Sequence, residues 1–282
     1  MRRIDAHHHL WDLSGGVPDW LVPAPMAPIR RSFDAGDLTR AAEAVGVDAT
    51  VLVQTVHEVE ETREFLRVAA GAELIAAVTG WVDLQAPDVA DQVATLRAGD
   101  GGQYLRGLRH GAQSEPDDGW LTRPAVVAGV RAAATTGVLY ELLVTPRQLP
   151  AAIELVRAVP EASFVLDHGG KPDIAAGGWQ PWADDVTTLA AEPNVACKLS
   201  GLVTEDGPDW SVDRLRRYAG HLLSAFGPGR LMWGSDWPVC LLRAPYEGWA
   251  AAADELLAEL SADERHQVLA GTAERVYQLA AG

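Results

Sequence analysis

The run Thr50-Val51-Leu52-Val53 is apolar at consecutive rather than alternating positions, and Val138-Leu139-Tyr140 repeats the pattern. A strand with one wet face alternates; a strand that is apolar on both faces is typically parallel and covered on both sides. Working outward, residues 3–9, 49–56, 74–82, 105–110, 137–144, 163–168, 194–200 and 230–236 read as eight strands. Helical patterns lie between them. Residues 33–45 place Leu38, Ala41, Ala42 and Val45 at helical spacing and stop at Gly46, a C-cap. Leu149, Ile153 and Val156 share a face of a helix that follows Pro146 and ends at Pro160. Further helices fit 182–191, 213–226, 247–260 and 262–279. This series predicts an α/β fold, a closed (β/α)8 TIM barrel forming a single domain over residues 1–282, with a doubly wound open sheet as the competing arrangement.

The 282 residues match the roughly 250 of one such barrel. Apolar residues at 48% and charged residues at 22% exclude disorder, collagen and coiled coil. Cys197 and Cys240 are far apart and lack a CxxC partner, which excludes zinc-finger spacing and makes a reducing compartment, the cytoplasm, the expected location. With 39 acidic against 23 basic residues the net charge is −16, which repels nucleic acid phosphates and anionic membranes. No stretch approaches the roughly 18 to 20 apolar residues of a membrane span, and Met-Arg-Arg-Ile-Asp opens no signal peptide. The expected partner is a small molecule; the sequence leaves a homo-oligomer open.

Strand interiors of such a barrel are apolar, so imidazoles and charges at strand ends need a reason. His7 and His9, two apart on a strand, face the same way and can grip one metal ion or oxyanion, while His8 points oppositely. In Leu231-Met232-Trp233-Gly234-Ser235-Asp236-Trp237-Pro238 a carboxylate sits where an apolar strand meets a turn. Its unpaired burial costs several kcal/mol, so Asp236 needs a metal, a histidine or a catalytic water, unless it is a helix N-cap. His168 repeats the design, followed by glycines that let backbone approach a ligand, and Asp167 is expected to face away and hold structure.

Other charged positions have two readings. Glu141 fits a metal ligand, a partner for Arg109 or a structural ion pair. Arg109 and His110 adjoin, and alternation lets one face the barrel axis; His110 is favoured for substrate contact, Arg109 second. Lys198 fits an oxyanion or carboxylate contact, or a salt bridge to Asp167 or Glu141. Gln54 can bond a substrate hydroxyl, whereas His57 precedes the helix-opening acids Glu58, Glu60 and Glu61. His221 and His266 lie on helical patterns, and Cys197 is expected to be a buried inert thiol. Among ten tryptophans, Trp11, Trp81, Trp233 and Trp237 lie near strand ends, where they can pack against sugar C–H faces or serve ordinary packing. Loops 14–32 and 169–180 follow strands and are expected to cover the site.

Taken in order, these pieces resemble the amidohydrolase superfamily, specifically its amidohydrolase-2 branch. His7 and His9 resemble its first-strand HxH, His168 its sixth-strand histidine and Asp236 its eighth-strand aspartate. Asp-His-Gly-Gly-Lys-Pro, Lys-Leu-Ser-Gly-Leu and Gly-Ser-Asp-Trp-Pro-Val look most like the sugar-lactone hydrolases of that branch, the L-fuconolactonases and L-rhamnonolactonases. The resemblance implies hydrolysis of a sugar-acid lactone with Asp236 as general base on water, and with His168 and His110 in the catalytic set. His7, His9, His168, Asp236 and Glu141 would hold a divalent metal, zinc before manganese, or the histidines would polarise the carbonyl without one. Arg109, Lys198, Gln54, Trp81 and Trp11 are the expected substrate contacts. The chain lacks the carbamylated lysine or glutamate after the fourth strand and the histidine after the fifth that the better-known metal amidohydrolases add, which speaks against a binuclear centre. The alternatives are a metal-dependent decarboxylase on the same framework, and a ligand-binding barrel without turnover, which leaves the titratable strand ends unexplained.

Overall fold

The computed structural model describes residues 1–279. The strands are β1 (Ile4–His8), β2 (Ala49–Val53), β3 (Ile75–Gly80), β4 (Leu105–His110), β5 (Leu139–Leu142), β6 (Phe164–Leu166), β7 (Val195–Leu199) and β8 (Leu231–Trp233). The larger helices are α1 (Ala35–Glu43), α2 (Val59–Gly71), α3 (Val89–Ala98), α4 (Pro124–Thr135), α5 (Leu149–Ala158) and α6 (Trp182–Ala190), then a short α7 (Leu202–Asp206), α8 (Val212–Phe226), α9 (Tyr246–Leu256), α10 (Ala262–His266) and α11 (Thr272–Val276).

The strands pair in chain order, each parallel to the next. A doubly wound sheet would reverse that order partway; this one does not. Closure is made just beyond the ladders: the Asp236 amide donates to the His7 carbonyl at 2.8 Å and the His9 amide to the Trp237 carbonyl at 2.7 Å. The two stretches that carry the histidine pair and the aspartate are therefore also the seam of the barrel.

The continuous apolar runs follow from two cores. Ala6, Ala49, Val51, Val53, Ala77, Leu139, Val165 and Met232 fill the barrel, whereas Leu52, Val78, Leu108, Leu142, Leu166 and Leu199 face the helices. Each fully buried aliphatic chain contributes about 1.5–3 kcal/mol, so a strand in this position gains from apolar residues on both faces. Helix starts carry the expected side chains: Asp34 accepts from the Asp37 amide, and Ser261 with Glu264 forms a capping box.

Three local departures matter. β6 and β8 are only three residues long because His168 and Asp236 take left-handed φ values of 53° and 57° and leave the ladder. The helix expected over 262–279 is broken by a π turn at Gln267–Gly271 and stops at Val276, which frees Tyr277 to fill the base of the barrel. The α7 segment, opened by Gly201 at φ 68°, was not anticipated. Among the described residues no helix is long and apolar enough to cross a membrane. Cys197 and Cys240 are free and buried, and burial pushes both thiols up.

Candidate active site

At the C-terminal end of the barrel, where the loops of a (β/α)8 enzyme build their site, His7, His9, His168 and Asp236 converge. His7 Nε2 lies 3.1 Å from His9 Nε2. Asp236 Oδ1 is 3.8 Å from His7 Nε2, 3.6 Å from His9 Nε2 and 3.9 Å from His168 Nε2. All four side chains are buried. Residues from opposite ends of the sequence thus meet around one point, as the strand-end pattern requires.

The outer nitrogens fix the rings. His9 Nδ1 donates to the Val53 carbonyl at 2.7 Å, so its Nε2 presents a lone pair inward. His168 Nδ1 pairs with Ser200 Oγ at 2.8 Å. Burial lowers the His7 basicity well below its usual value and that of His168 to about 4, which keeps both rings neutral. Burial raises the Asp236 carboxyl, but His168, His9 and Lys171 outweigh it and hold it below its ordinary value.

These facts bear on a metal. A tetrahedral ion with bonds of about 2.0–2.1 Å separates its ligand atoms by about 3.3 Å, and the nitrogen and oxygen spacings of 3.1 to 3.9 Å bracket that figure. The neutral His168 ring, oriented through its far nitrogen by Ser200, is in the form a cation binds. The buried Asp236 carboxylate makes its ion-pair contacts with imidazoles alone among the described residues, so a bound cation would supply the missing charge. The donor set fits one small divalent ion.

Beneath it lies a second polar layer. Lys198 Nζ, fully buried, is 2.6 Å from Glu141 Oε2, 3.0 Å from Asp167 Oδ1 and 3.0 Å from His7 Nδ1. Arg109 joins Asp167 at 3.1 Å and His7 Nε2 at 3.3 Å. Two cations face two carboxylates. Burial opposes ionisation of Asp167, but Lys198, His7 and Arg109 outweigh it and hold that carboxyl well below its normal range. Burial pushes Glu141 up despite Lys198.

Several sequence expectations change here. Asp167 faces inward, not away: it continues the alternation that puts Val165 inside the barrel and Leu166 on the helix side, and the left-handed turn at His168 brings that next side chain inward as well. Arg109, not His110, points along the axis. His110 faces the outside of the sheet, stacked between His57 at 4.0 Å and Trp120 at 3.9 Å, bonded by Trp81 Nε1 at 3.1 Å and to Glu115 at 2.8 Å. Glu141 is bonded by Lys198, by the Tyr277 hydroxyl at 2.6 Å and by Thr79 at 2.6 Å, and it also lies with His7 and Asp167 in a second group whose ligand atoms are within 4.8 Å of one another. Its ion pair is with Lys198 rather than Arg109. Lys198 itself is wholly enclosed, with Glu141, Asp167 and His7 around its ammonium. Gln54 donates to the Arg109 carbonyl and ties β2 to β4. Trp11 donates to the Arg31 carbonyl at 2.6 Å and packs edge-on against Trp20 and Phe33, holding the first long loop. Trp81 stays half-buried beside His57 on the rim. His221 bonds the Ala183 carbonyl between helices, and His266 ends α10.

The sequence profile of the amidohydrolase family matches residues 4–279. The L-fucono-1,5-lactonase of Burkholderia ambifaria is 37% identical over 281 residues, covering 98% of this chain and 96% of that protein. The L-fucono-1,5-lactonase of Burkholderia multivorans is 38% identical over 291 residues, with the same coverage of 98% and 96%. A crystal structure of an amidohydrolase from Burkholderia multivorans with bound zinc superposes with a TM-score of 0.92 at 37% identity, over 99% of this chain and 100% of that one. A seam of imidazoles and carboxylate in a (β/α)8 barrel, matched along its whole length by that profile, places this chain in the amidohydrolase family.

Proposed function

We propose that the protein hydrolyses sugar-acid lactones, with a six-membered 1,5-lactone ring of the L-fucono type as its preferred substrate. The observation that carries this reading is the full-length likeness, at 37–38% identity, to two L-fucono-1,5-lactonases. The site supplies compatible chemistry. Asp236, buried yet held ionised, takes the proton from the attacking water and returns it to the ring oxygen as the carbon–oxygen bond breaks. Arg109 directs a guanidinium whose Nε lacks a protein partner toward the same region and can bond the developing oxyanion. Trp81 and His57 offer aromatic faces at the rim for the sugar's C–H surface.

His7, His168 and Asp236, with His9 beside His7 and Asp236, would hold a divalent cation, for which zinc suits the imidazole-rich set and the zinc in the Burkholderia multivorans structure lends support. Such an ion would polarise the lactone carbonyl and acidify water. The buried free thiols suit the reducing cytoplasm.

The test is a panel of aldonolactones, including L-fucono-, L-rhamnono- and D-galactono-lactone, read by acid release with a pH indicator and by mass. Ring opening of the L-fucono compound without release of carbon dioxide upholds the reading; turnover of none of them overturns it. Metal analysis of the purified protein, with activity before and after chelation, decides the cofactor: full activity with no bound metal removes the cation from the reaction.

A further inference from the structure

Among the described residues, four that are not glycine have left-handed φ: His168, Lys171, Asp236 and Gln278. Such conformations are costly and persist where surrounding contacts enforce them, often at functional sites. His168 and Asp236 are already in the site. Lys171 is the third residue of the group on that face, three positions after His168, with its amide bonded to the His168 carbonyl at 3.0 Å.

From this turn the Lys171 side chain joins two other strand-end loops. Its Nζ is 3.0 Å from Gln113 Oε1, beyond β4, and 3.1 Å from Glu205 Oε1, on α7 beyond β7. Lys171 and Glu205 remain 24% and 22% exposed at their side chains, so a ligand can reach them. The Lys171 charge acts on Asp236 and on His168, which lies three residues before it in the same turn. An accessible ion pair contributes little, too little to account for holding a lysine in this conformation.

An ammonium, a carboxylate and an amide within one hydrogen bond of each other offer donors and acceptors together, and a sugar hydroxyl needs both. We infer that Lys171, Glu205 and Gln113 form a hydroxyl-reading subsite that selects polyhydroxylated lactones over plain ones. This inference rests on the lactone-hydrolysing reading above. Nζ donates to one ring hydroxyl, while Glu205 accepts from the same or the neighbouring one. A ring lacking those hydroxyls gains no bond from the pair, and sites that hydrogen-bond a substrate hydroxyl discriminate more strongly than apolar pockets do.

The test compares an aldono-1,5-lactone with δ-valerolactone, the same ring without hydroxyls, for the wild type, Lys171→Met, Lys171→Arg and Glu205→Gln. Calorimetric binding of a non-hydrolysable aldonolactam runs in parallel. The expected loss of kcat/KM in Lys171→Met and Glu205→Gln is about 10- to 100-fold on the hydroxylated ring, at least tenfold greater than on valerolactone, with a matching loss of lactam affinity and partial rescue in Lys171→Arg. Equal losses on both rings, or unchanged lactam affinity, overturn the subsite and leave a loop-tying ion pair. A wild type that opens no lactone yet binds the lactam in a Lys171-dependent way keeps the subsite and overturns the lactonase reading. No turnover and no lactam binding overturn both.

Discussion

Lys198 Nζ sits 3.0 Å from His7 Nδ1 and 3.0 Å from Asp167 Oδ1, with no solvent contact. An ammonium in that position is the floor of the site: it neutralises Glu141 and Asp167 and fixes the His7 ring from below. Breaking a buried pair by removing one partner typically costs about 3–5 kcal/mol, because the other charge is left uncompensated. Lys198→Met is expected to lose stability in that range by urea unfolding. Adding Glu141→Gln should recover part of the loss, since it removes the stranded charge. A single variant within 1 kcal/mol of wild type would show that Lys198 is not what balances this layer.

Among the described residues Asp236 is the only carboxylate within 4 Å of all three site imidazoles, and its ionised form is favoured there. Asp236→Asn keeps the shape but removes the base. Turnover should fall about 10²- to 10⁴-fold. The expected melting temperature stays close to wild type, because Ser235, Asp5 and the closing backbone bonds still hold the seam. Near-native turnover in this variant would take the general base away from Asp236.

The eightfold alternation and the convergence of the first and last strands were legible in the sequence, because continuous apolar runs and the His-x-His spacing are direct readouts of burial and pleat. Alternation fails where the backbone stops being a strand. His168 lies past the ladder that ends at Leu166 and reaches the site through a left-handed turn, so an outward Asp167, counted from an inward His168, has the wrong sign, while Val165 and Asp167 share the inward face. Arg109 and His110 carried a usable signal that was passed over: Leu108 packs on the helix side, so His110 shares its face and Arg109 takes the axis. Lys171, Glu205 and Gln113 gave no periodic cue, because all three lie in connections whose meeting depends on loop geometry.

Two glycines press directly on site histidines. A Cβ at Gly201 would lie 2.8 Å from the His168 ring, at a backbone φ of 68°, and one at Gly234 would lie 2.9 Å from His7 Cβ. Neither neighbour can retreat, since His168 is bonded to Ser200 and His7 is wedged against Lys198 and Arg109. Gly201→Ala and Gly234→Ala should each displace a ring by enough to lower turnover about 10²-fold. Metal affinity, read by chelator competition, is expected to fall about 10- to 100-fold. An alanine at an unconfined glycine such as Gly220 serves as the control. Wild-type turnover in both site variants would mean that ring position is not limiting.

His8, between the two site histidines, faces the other way into the layer under the helices, fully buried with neither ring nitrogen bonded. Burial first, and the His9 charge second, lower its basicity to about 3. The unfolded chain binds a proton there near pH 6.5 while the folded one does not, so the stability tied to neutral His8 is complete above pH 6.5 and drains away as the pH falls toward 3. Between pH 7 and pH 5 that loss is about 2 kcal/mol. His8→Leu fills the apolar layer without a titrating group and should lose about 2 kcal/mol less than wild type over the same interval, read by urea unfolding at both pH values. If the two proteins lose equal stability on acidification, the acid sensitivity of the fold lies in other groups, with His168, lowered to about 4, the next to replace.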